Sequence, residues 1–236
     1  MAAVSVARAG DIPRSIAFYV AFYVGTVPYV MAAFAALAIG ERPFRRVVRG
    51  WSRYHRACVR HLLGIRLEIR GAPPPPDAMV AMKHESFFEA IDQPALFDDP
   101  VVLAKAELLR IPMWGRIAAA YGLIPVERDQ GARALRTLLT AARARTQDGR
   151  RLVIFPEGTR VVHGEAPTLQ AGFAALYKLL GVPVVPVSVD SGLLYHRWWK
   201  RRGTITIAFG EPIAPGLPRA EIEARVRDAI NALNEG

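Results

Sequence analysis

The chain has 236 residues, a length that suits one α/β domain with an appended segment. Its hydrophobic fraction of 52% slightly exceeds that of an ordinary soluble domain, and its formal charge of +10 favours anionic partners such as phospholipid, nucleic acid or phosphate-bearing metabolites. The single cysteine, Cys58, excludes an intramolecular disulfide and every multi-cysteine zinc or iron-sulfur site, which is typical of a reducing compartment.

The apolar residues are concentrated near the N-terminus, where the chain from Ser15 to Gly40 has no charged residue and no histidine. One helix over this run would rise about 39 Å, enough to cross a hydrocarbon core of about 30 Å. A break at Pro28, with Gly25 nearby, would instead produce a hairpin that enters one leaflet. We predict a membrane-embedded segment. A buried soluble helix and a cleaved signal peptide are the alternatives, although a signal peptide has a shorter apolar region of about 7 to 15 residues.

A series of arginines follows the apolar run at steps of three and four residues, which places them on one face of a helix. They are Arg46, Arg49, Arg53, Arg56 and Arg60. Such a face is expected to lie on anionic head groups or, as the alternative, in solvent. By the positive-inside rule, we predict that residues 1–62 form a membrane-associated helical segment and that residues 63–236 form a catalytic domain on the cytoplasmic side of the cytoplasmic (inner) membrane.

The remainder of the chain alternates short apolar runs with helical patterns. The alternation of apolar and charged residues from Ile65 to Arg70 predicts an exposed strand. The four prolines from Pro73 to Pro76 predict a loop. We predict further strands at 78–82, 101–104, 123–126, 152–155, 182–189 and 204–209, and helices at 86–97, 112–120, 130–147, 171–180 and 218–233. This alternation predicts an α/β fold with a mixed, largely parallel sheet flanked by helices.

His84 and Glu89 lie at the predicted junction between a strand and a helix. Ser86 and Glu89 have the spacing of a capping box, so a helix is expected to begin at Ser86. His84 precedes that helix and is free to fold back over its first turn. A histidine held by a carboxylate is suited to act as a general base. The alternative is that Glu89 only caps the helix and that His84 is structural.

A second candidate site, suited to binding an anion, lies in the turn after Phe155. This turn ends in Thr159 and Arg160. Successive amides of such a turn can bind an anion, and the arginine can hold a phosphate with two hydrogen bonds. Lys105 likewise follows a predicted strand, at the edge where open α/β sheets bind ligands. The alternative is an ordinary turn with an exposed arginine.

These segments occur in the order and approximate spacing of the four motif blocks of the glycerolipid acyltransferases, which residues 65–215 resemble. The blocks are His84 to Glu89, Lys105 to Gly115, Phe155 to Arg160, and Val182 to Val187. The resemblance implies a membrane-bound enzyme that moves an acyl chain from acyl-CoA or acyl carrier protein to the sn-2 hydroxyl of lysophosphatidate, giving phosphatidate. It also implies that His84 is the base, that Glu89 orients it, and that the reaction needs no cofactor and no metal.

The resemblance assigns further residues to the site. Those implied at the acceptor's phosphate are Lys105, Gly158, Thr159 and Arg160, and backbone amides near the turn could stabilise the oxyanion. Those implied as supporting the motifs are Glu107, Pro112, Gly115, Phe155, Pro156, Glu157 and Pro186. Two positions depart from the usual family pattern, because Glu89 replaces an aspartate and Lys83 an asparagine. The acceptor could therefore be another lyso-lipid, such as a lyso-ornithine lipid.

Other features leave the function more open. A non-catalytic protein that binds anionic lipid would need only the apolar segment and the arginines. The stretch from His196 to Arg202 mixes aromatic and cationic residues, as membrane-interface loops do, although an ordinary basic hairpin has the same composition. No nucleic-acid motif is found, so no nucleic-acid partner is predicted. The remaining histidines receive no role: His55, His61, His163 and His196.

Overall fold

The structure is a computed structural model that describes residues 9–126, 131–146 and 149–234. The described strands are β1 (Ile65–Arg70), β2 (Met79–Met82), β3 (Val101–Lys105), β4 (Ile124–Val126), β5 (Leu152–Ile154), β6 (Val184–Val189) and β7 (Gly203–Phe209). They form one sheet in the order β1-β7-β6-β2-β5-β3-β4. The pairings from β6 to β4 are parallel, β7 runs antiparallel to β6, and β1 runs parallel to β7. The predicted mixed, largely parallel sheet is confirmed.

Helices cover both faces of this sheet. They are α1 (Asp11–Ile39), α2 (Glu41–Cys58), α3 (Phe87–Leu96), α4 (Trp114–Tyr121), α5 (Gly131–Thr146), α6 (Ala171–Leu180) and α7 (Arg219–Ile230), with a π-helical turn at Val59–Leu63 and a 3₁₀ turn at Ala106–Arg110. The predicted elements are found with ends shifted by at most three residues, and positions 130 and 147 of one predicted helix lie outside the described residues.

The strand β2 shows how the core is divided between the two faces. Val80 and Met82 pack in the cluster that includes α1 and α2, whereas Met79 and Ala81 pack in the cluster that includes α5, α6 and α7. All four side chains are fully buried. A strand buried on both faces reads as a continuous apolar run, which is why the sequence pattern identified it.

The helix α1 continues through Pro28 without a break, so the predicted alternative of a break at this proline is wrong. The neighbouring helix α2 supports this stretch. The hydroxyl of Tyr54 donates to Ala21 O at 2.6 Å, and Trp51 Nε1 donates to Thr26 Oγ1 at 3.0 Å. A proline is tolerated within a long helix where a packed neighbour and hydroxyl side chains stabilise the surrounding turns.

Both halves of α1 contact the α/β unit. Near its start, Tyr19 Oη donates to Trp198 O at 2.7 Å, and Ser15 Oγ accepts from the amide of Lys200 at 2.8 Å. Near its end, Ala33 and Ala36 join a buried cluster that includes residues of α4. A helix of this length is about 43 Å long, so α1 lies along the body of the protein instead of projecting from it.

The predicted arginine face is divided between protein contacts and solvent. Arg49 Nη2 lies 3.0 Å from Asp99 Oδ2, and Arg56 Nη2 lies 2.7 Å from Asp92 Oδ2. These two arginines contact the protein because α2 packs against α3 and the turn that follows it. The expectation of head-group or solvent contact is therefore wrong for Arg49 and Arg56. The exposed members of the series are Arg46, Arg53 and Arg60.

Candidate active site

Three neighbouring strands bring the predicted motifs together at one edge of the sheet. β2, β5 and β3 are adjacent and parallel, so their carboxyl ends lie side by side. Their continuations contribute His84, Arg160 and Lys105 to the wall of a single cavity of about 1210 Å³. A crevice outside the carboxyl ends of parallel strands is the usual ligand site of such sheets.

His84 and Glu89 are in direct contact. Nδ1 of His84 lies 2.9 Å from Oε1 of Glu89. The carboxylate is fully buried, whereas the His84 side chain is 17% exposed and lines the cavity. An ionised carboxylate only accepts hydrogen bonds, so this contact assigns the proton of a neutral imidazole to Nδ1 and leaves Nε2 as the free base.

Glu89 is held by a dense set of donors. Oε1 also accepts the amides of Glu85 and Ser86, both at 2.6 Å, and Oε2 accepts the hydroxyl of Ser191 at 2.6 Å. Burial alone would raise the pKa of Glu89, but the hydrogen bond and charge of His84, together with the Ser191 and Ser86 donors, lower it below its ordinary value. Glu89 is therefore ionised at neutral pH.

The helix cap and the histidine contact use the same carboxylate. Ser86 is the N-cap of α3, its hydroxyl accepts the amide of Phe88 at 3.0 Å, and Glu89 completes the capping box. The cap fixes Glu89 in the first turn, where His84 reaches it from outside the helix. The geometry therefore allows Glu89 both to cap α3 and to hold His84.

The backbone of His84 is held by the loop that follows β5. Glu157 Oε2 accepts the His84 amide at 2.9 Å, and the His84 carbonyl accepts the amide of Val161 at 2.7 Å. The ring of Phe155 stacks on the imidazole with centroids 4.2 Å apart. Phe155 and Glu157 thus support the position of His84.

Lys83 is a buried structural cation. Its Nζ lies 3.3 Å from Glu157 Oε1 and 2.9 Å from the carbonyl of Glu165, and it also contacts Asn231 at the end of α7. A buried ammonium requires such partners, because an unpaired buried charge is strongly destabilising. The departure from asparagine at this position is therefore accommodated by contacts to two segments, the connection between β5 and α6 and the end of α7.

The candidate phosphate-binding residues surround the cavity near His84. Lys105 and Thr159 are exposed, and Gly158 has the positive φ of 70° that favours glycine in this turn. The guanidinium of Arg160 lies 4.1 Å from the ring centre of Phe87 on α3. Within the described residues Arg160 forms no ion pair, so its charge is available to an anionic group.

The other predicted motif residues lie farther from the chemistry. A Cβ on Gly115 would lie 2.0 Å from the carbonyl oxygen of Leu109, so glycine allows α4 to pack on the preceding 3₁₀ turn. Pro112 and Glu107 are exposed near that turn, and Pro156 lines the cavity. Pro186 lies in β6, paired with Ala81 of β2.

Sequence reasoning missed several partners of the site. Ser191 follows β6, and its contact with Glu89 crosses 102 positions. His163, for which the sequence predicts no role, lies 3.0 Å from Glu85. No local signal identifies either residue, because both contacts depend on the order of strands in the sheet.

The wall of the cavity is mostly apolar away from His84. It includes Val30 and Val48 from the two N-terminal helices, Ile117 from α4, and Leu138 from α5. In the part of the chain that the structure describes, no group of three His, Cys, Asp or Glu side chains could hold a metal ion. The site therefore combines one base, candidate cations and a large apolar volume.

Comparison with known proteins shows the family to which the chain belongs. A 1-acyl-sn-glycerol-3-phosphate acyltransferase of Pseudomonas aeruginosa is 29% identical over 94% of this chain and 86% of its own length. The alpha enzyme of the same name from Mus musculus is 27% identical over 74% of this chain and 61% of its own length. The crystal structure of the 1-acyl-sn-glycerophosphate (LPA) acyltransferase PlsC from Thermotoga maritima, 19% identical, has the same fold with a TM-score of 0.76 over 95% of this chain and 96% of that one. The acyltransferase family model matches residues 67–190, and the chain belongs to this family.

Proposed function

We propose that this enzyme transfers an acyl chain from acyl-CoA or acyl carrier protein to the sn-2 hydroxyl of lysophosphatidate. The observation that carries the proposal is the 2.9 Å contact between His84 and buried Glu89 at the wall of a cavity that also presents Arg160 and Lys105. The named activities of the Pseudomonas and mouse relatives support the substrate.

In the proposed reaction, Nε2 of His84 accepts the proton of the acceptor hydroxyl as its oxygen attacks the thioester carbonyl. Ionised Glu89 stabilises the imidazolium that forms. The tetrahedral intermediate then collapses with breakage of the carbon-sulfur bond, and the imidazolium returns the proton to the departing thiolate. The acceptor hydroxyl is itself the nucleophile, so the proposal includes neither an acyl-enzyme nor a metal or cofactor.

The charge of the acceptor fits the cations of the cavity. Arg160 can hold a phosphate with two hydrogen bonds, and Lys105 supplies a second charge at the end of β3. Gly158 and Thr159 form the turn between the base and Arg160, where backbone amides could stabilise the oxyanion. A phosphate in this region would place the glycerol hydroxyl of the acceptor towards His84.

We infer that α1 lies in one leaflet of the cytoplasmic (inner) membrane, with the α/β unit on its cytoplasmic side. Among the described helices, α1 alone is long and apolar enough to cross a membrane. However, both its halves contact the α/β unit, which suits a helix lying along the bilayer surface better than one crossing it. An exposed apolar stripe runs along α1 at steps of one to five residues: Ile12, Ile16, Val20, Tyr23, Val24, Val27, Met31, Phe34 and Ile39.

The loop before β7 extends this apolar stripe. Trp198 is 83% exposed, and its carbonyl accepts the hydroxyl of Tyr19. Tyr19 lies on α1 within about 60° of Ile12, Ile16 and Tyr23 around the helix axis. The proposal therefore assigns this loop to the membrane interface.

The experiment that tests the proposed function is product analysis by mass spectrometry. The purified full chain is incubated in detergent with acyl-CoA or acyl carrier protein thioesters and a panel of lyso-lipids that includes lysophosphatidate and lyso-ornithine lipid. The proposal expects phosphatidate as the main product. A protein that acylates only other lyso-lipids would contradict the acceptor, and one that binds anionic vesicles but acylates none would contradict the activity.

A further inference from the structure

Glu85, the residue directly after His84, forms a second histidine-carboxyl pair. Its Oε1 lies 3.0 Å from Nδ1 of His163, and its Oε2 accepts the amide of Gly192 at 2.8 Å. The Glu85 side chain is fully buried, and that of His163 is 11% exposed. The proposed proton transfer uses neither residue, so their contact has another purpose.

His163 lies in the connection between β5 and α6, which has no helix or strand over residues 161–170. Most of this connection is exposed. Val161 is buried, His163 and Leu169 are half-buried, and the carbonyl of Glu165 accepts from Nζ of Lys83, so a small number of contacts anchor the connection to the body of the protein. Its backbone is tied to the active-site turn through Val161, whose amide donates to the carbonyl of His84.

We propose that Glu85 and His163 are positioning residues that hold this connection, and with it Arg160, against the cavity. Arg160 precedes His163 by three positions and rests on the ring of Phe87. Without the His163 contact, the Val161 amide and the Phe87 ring would still hold Arg160, but the connection that follows it would lose its side-chain contact with Glu85. This inference rests on the proposed function, in which Arg160 binds the phosphate of the acceptor.

Geometry and burial indicate a hydrogen bond in which the side chains of Glu85 and His163 are both uncharged. Burial raises the pKa of Glu85 to about 8; the Gly192 amide and Lys83 lower it in part, and the charges of Glu89 and Asp190 add to the rise. Burial also lowers the pKa of His163. At neutral pH the carboxyl group of Glu85 keeps its proton, and its O–H donates a hydrogen bond to Nδ1 of His163. Glu85 and Glu89, four positions apart, therefore have opposite protonation states.

Matched amide substitutions distinguish these two states. In Glu85→Gln, the amide nitrogen can still donate to His163 while the amide oxygen accepts from Gly192. In Glu89→Gln, the negative charge that accepts from His84 and the first-turn amides is lost. We expect the Glu85→Gln enzyme to keep kcat and the acceptor KM within about twofold, since its hydrogen bonds persist. The Glu89→Gln enzyme is expected to lose most of its activity.

Substitution of His163 tests the positioning role. His163→Ala is expected to raise the acceptor KM about three- to tenfold, the effect of losing one net hydrogen bond, with kcat and the donor KM nearly unchanged. Hydrogen exchange at the amides of Val161 and Glu165 should become faster. His163→Asn, whose Oδ1 can accept from Glu85 at the place of Nδ1, should restore both values.

The outcomes separate the two proposals. A wild-type protein that acylates no lyso-lipid would contradict the proposed function, and the exchange measurement would still test the pair. If His163→Ala leaves both exchange and the acceptor KM as in the wild type, or Glu85→Gln loses activity as Glu89→Gln does, the positioning pair is overturned.

Discussion

The hydroxyl of Ser191 lies 2.6 Å from Oε2 of Glu89, although 102 positions separate the two residues. Ser191 follows β6, which pairs with β2 in the sheet. The order of strands therefore brings a donor from one strand end to the carboxylate that follows the neighbouring one. Glu89 thus has His84 and backbone amides at one oxygen, and hydroxyl groups at the other.

Ser191→Ala removes a donor from a buried carboxylate without changing His84. Hydrogen bonds to charged groups contribute about 1.5 to 3 kcal/mol, so we expect kcat to fall about tenfold or more. Ser188→Ala is the control, because Ser188 is a buried serine of β6 that donates no hydrogen bond to Glu89. Equal kcat values for the two variants would contradict the importance of the Ser191 contact.

The raised pKa of Glu85 should make the free energy of unfolding depend on pH. The unfolded chain loses this proton near the ordinary value of 4.5, whereas the folded protein keeps it to about 8. Unfolding between these values releases a proton, so this contribution to stability is complete below the lower value and is lost as pH rises through the upper one. Glu85→Gln removes the effect.

The measurement is thermal unfolding of the wild type and Glu85→Gln at several pH values from about 5 to about 8. The melting temperature of the variant should rise relative to that of the wild type as pH increases. Comparison of the two proteins cancels the contributions of Lys83, Glu89, Asp190 and His163, the charged or titratable groups near Glu85. A constant difference across the range would show that Glu85 is ionised in the folded protein.

Gly25 permits the close approach of α1 to α2. A Cβ at this position would lie 2.2 Å from the hydroxyl oxygen of Tyr54 and 2.6 Å from its ring carbon Cζ. We expect Gly25→Ala to destabilise the protein by about 1 to 3 kcal/mol, which thermal unfolding in detergent can detect. In the control Gly172→Ala, on α6, the new Cβ meets no atom within 4 Å, and higher helix propensity should stabilise the protein. Destabilisation of equal size in both would argue against the close approach.

The exposed stripe of α1 should carry the membrane contact. Val24 is 66% exposed, and Val24→Glu places a charge on that stripe without disturbing the buried face. We expect vesicle binding to weaken by about tenfold or more, since a charged side chain is costly in hydrocarbon. Ile69→Glu, on the edge strand β1, is the matched control and should bind as the wild type does. If Val24→Glu and Ile69→Glu reduce co-sedimentation with vesicles by the same amount, the assignment of α1 to the bilayer is contradicted.

Local patterns predicted the elements of the fold and the convergence of the motifs. The apolar runs predicted the buried strands, and the capping box placed the start of α3 at Ser86, because these signals depend on neighbours in sequence. No local sequence pattern indicates three other contacts: Ser191 with Glu89, His163 with Glu85, and Arg56 with Asp92. They form between segments that become neighbours only through sheet order and helix packing. The continuity of α1 through Pro28 likewise depends on support from α2.

In the proposed mechanism, His84, oriented by ionised Glu89, acts as the base in acyl transfer. The most direct measurement is the rate of acyl transfer to lysophosphatidate by purified His84→Ala and Glu89→Gln, with Glu85→Gln as the matched control. General-base catalysis contributes about 10² to 10⁴ in rate, so both variants should lose at least about a hundredfold in kcat while the control stays active. Near-normal rates in folded His84→Ala and Glu89→Gln would contradict the mechanism.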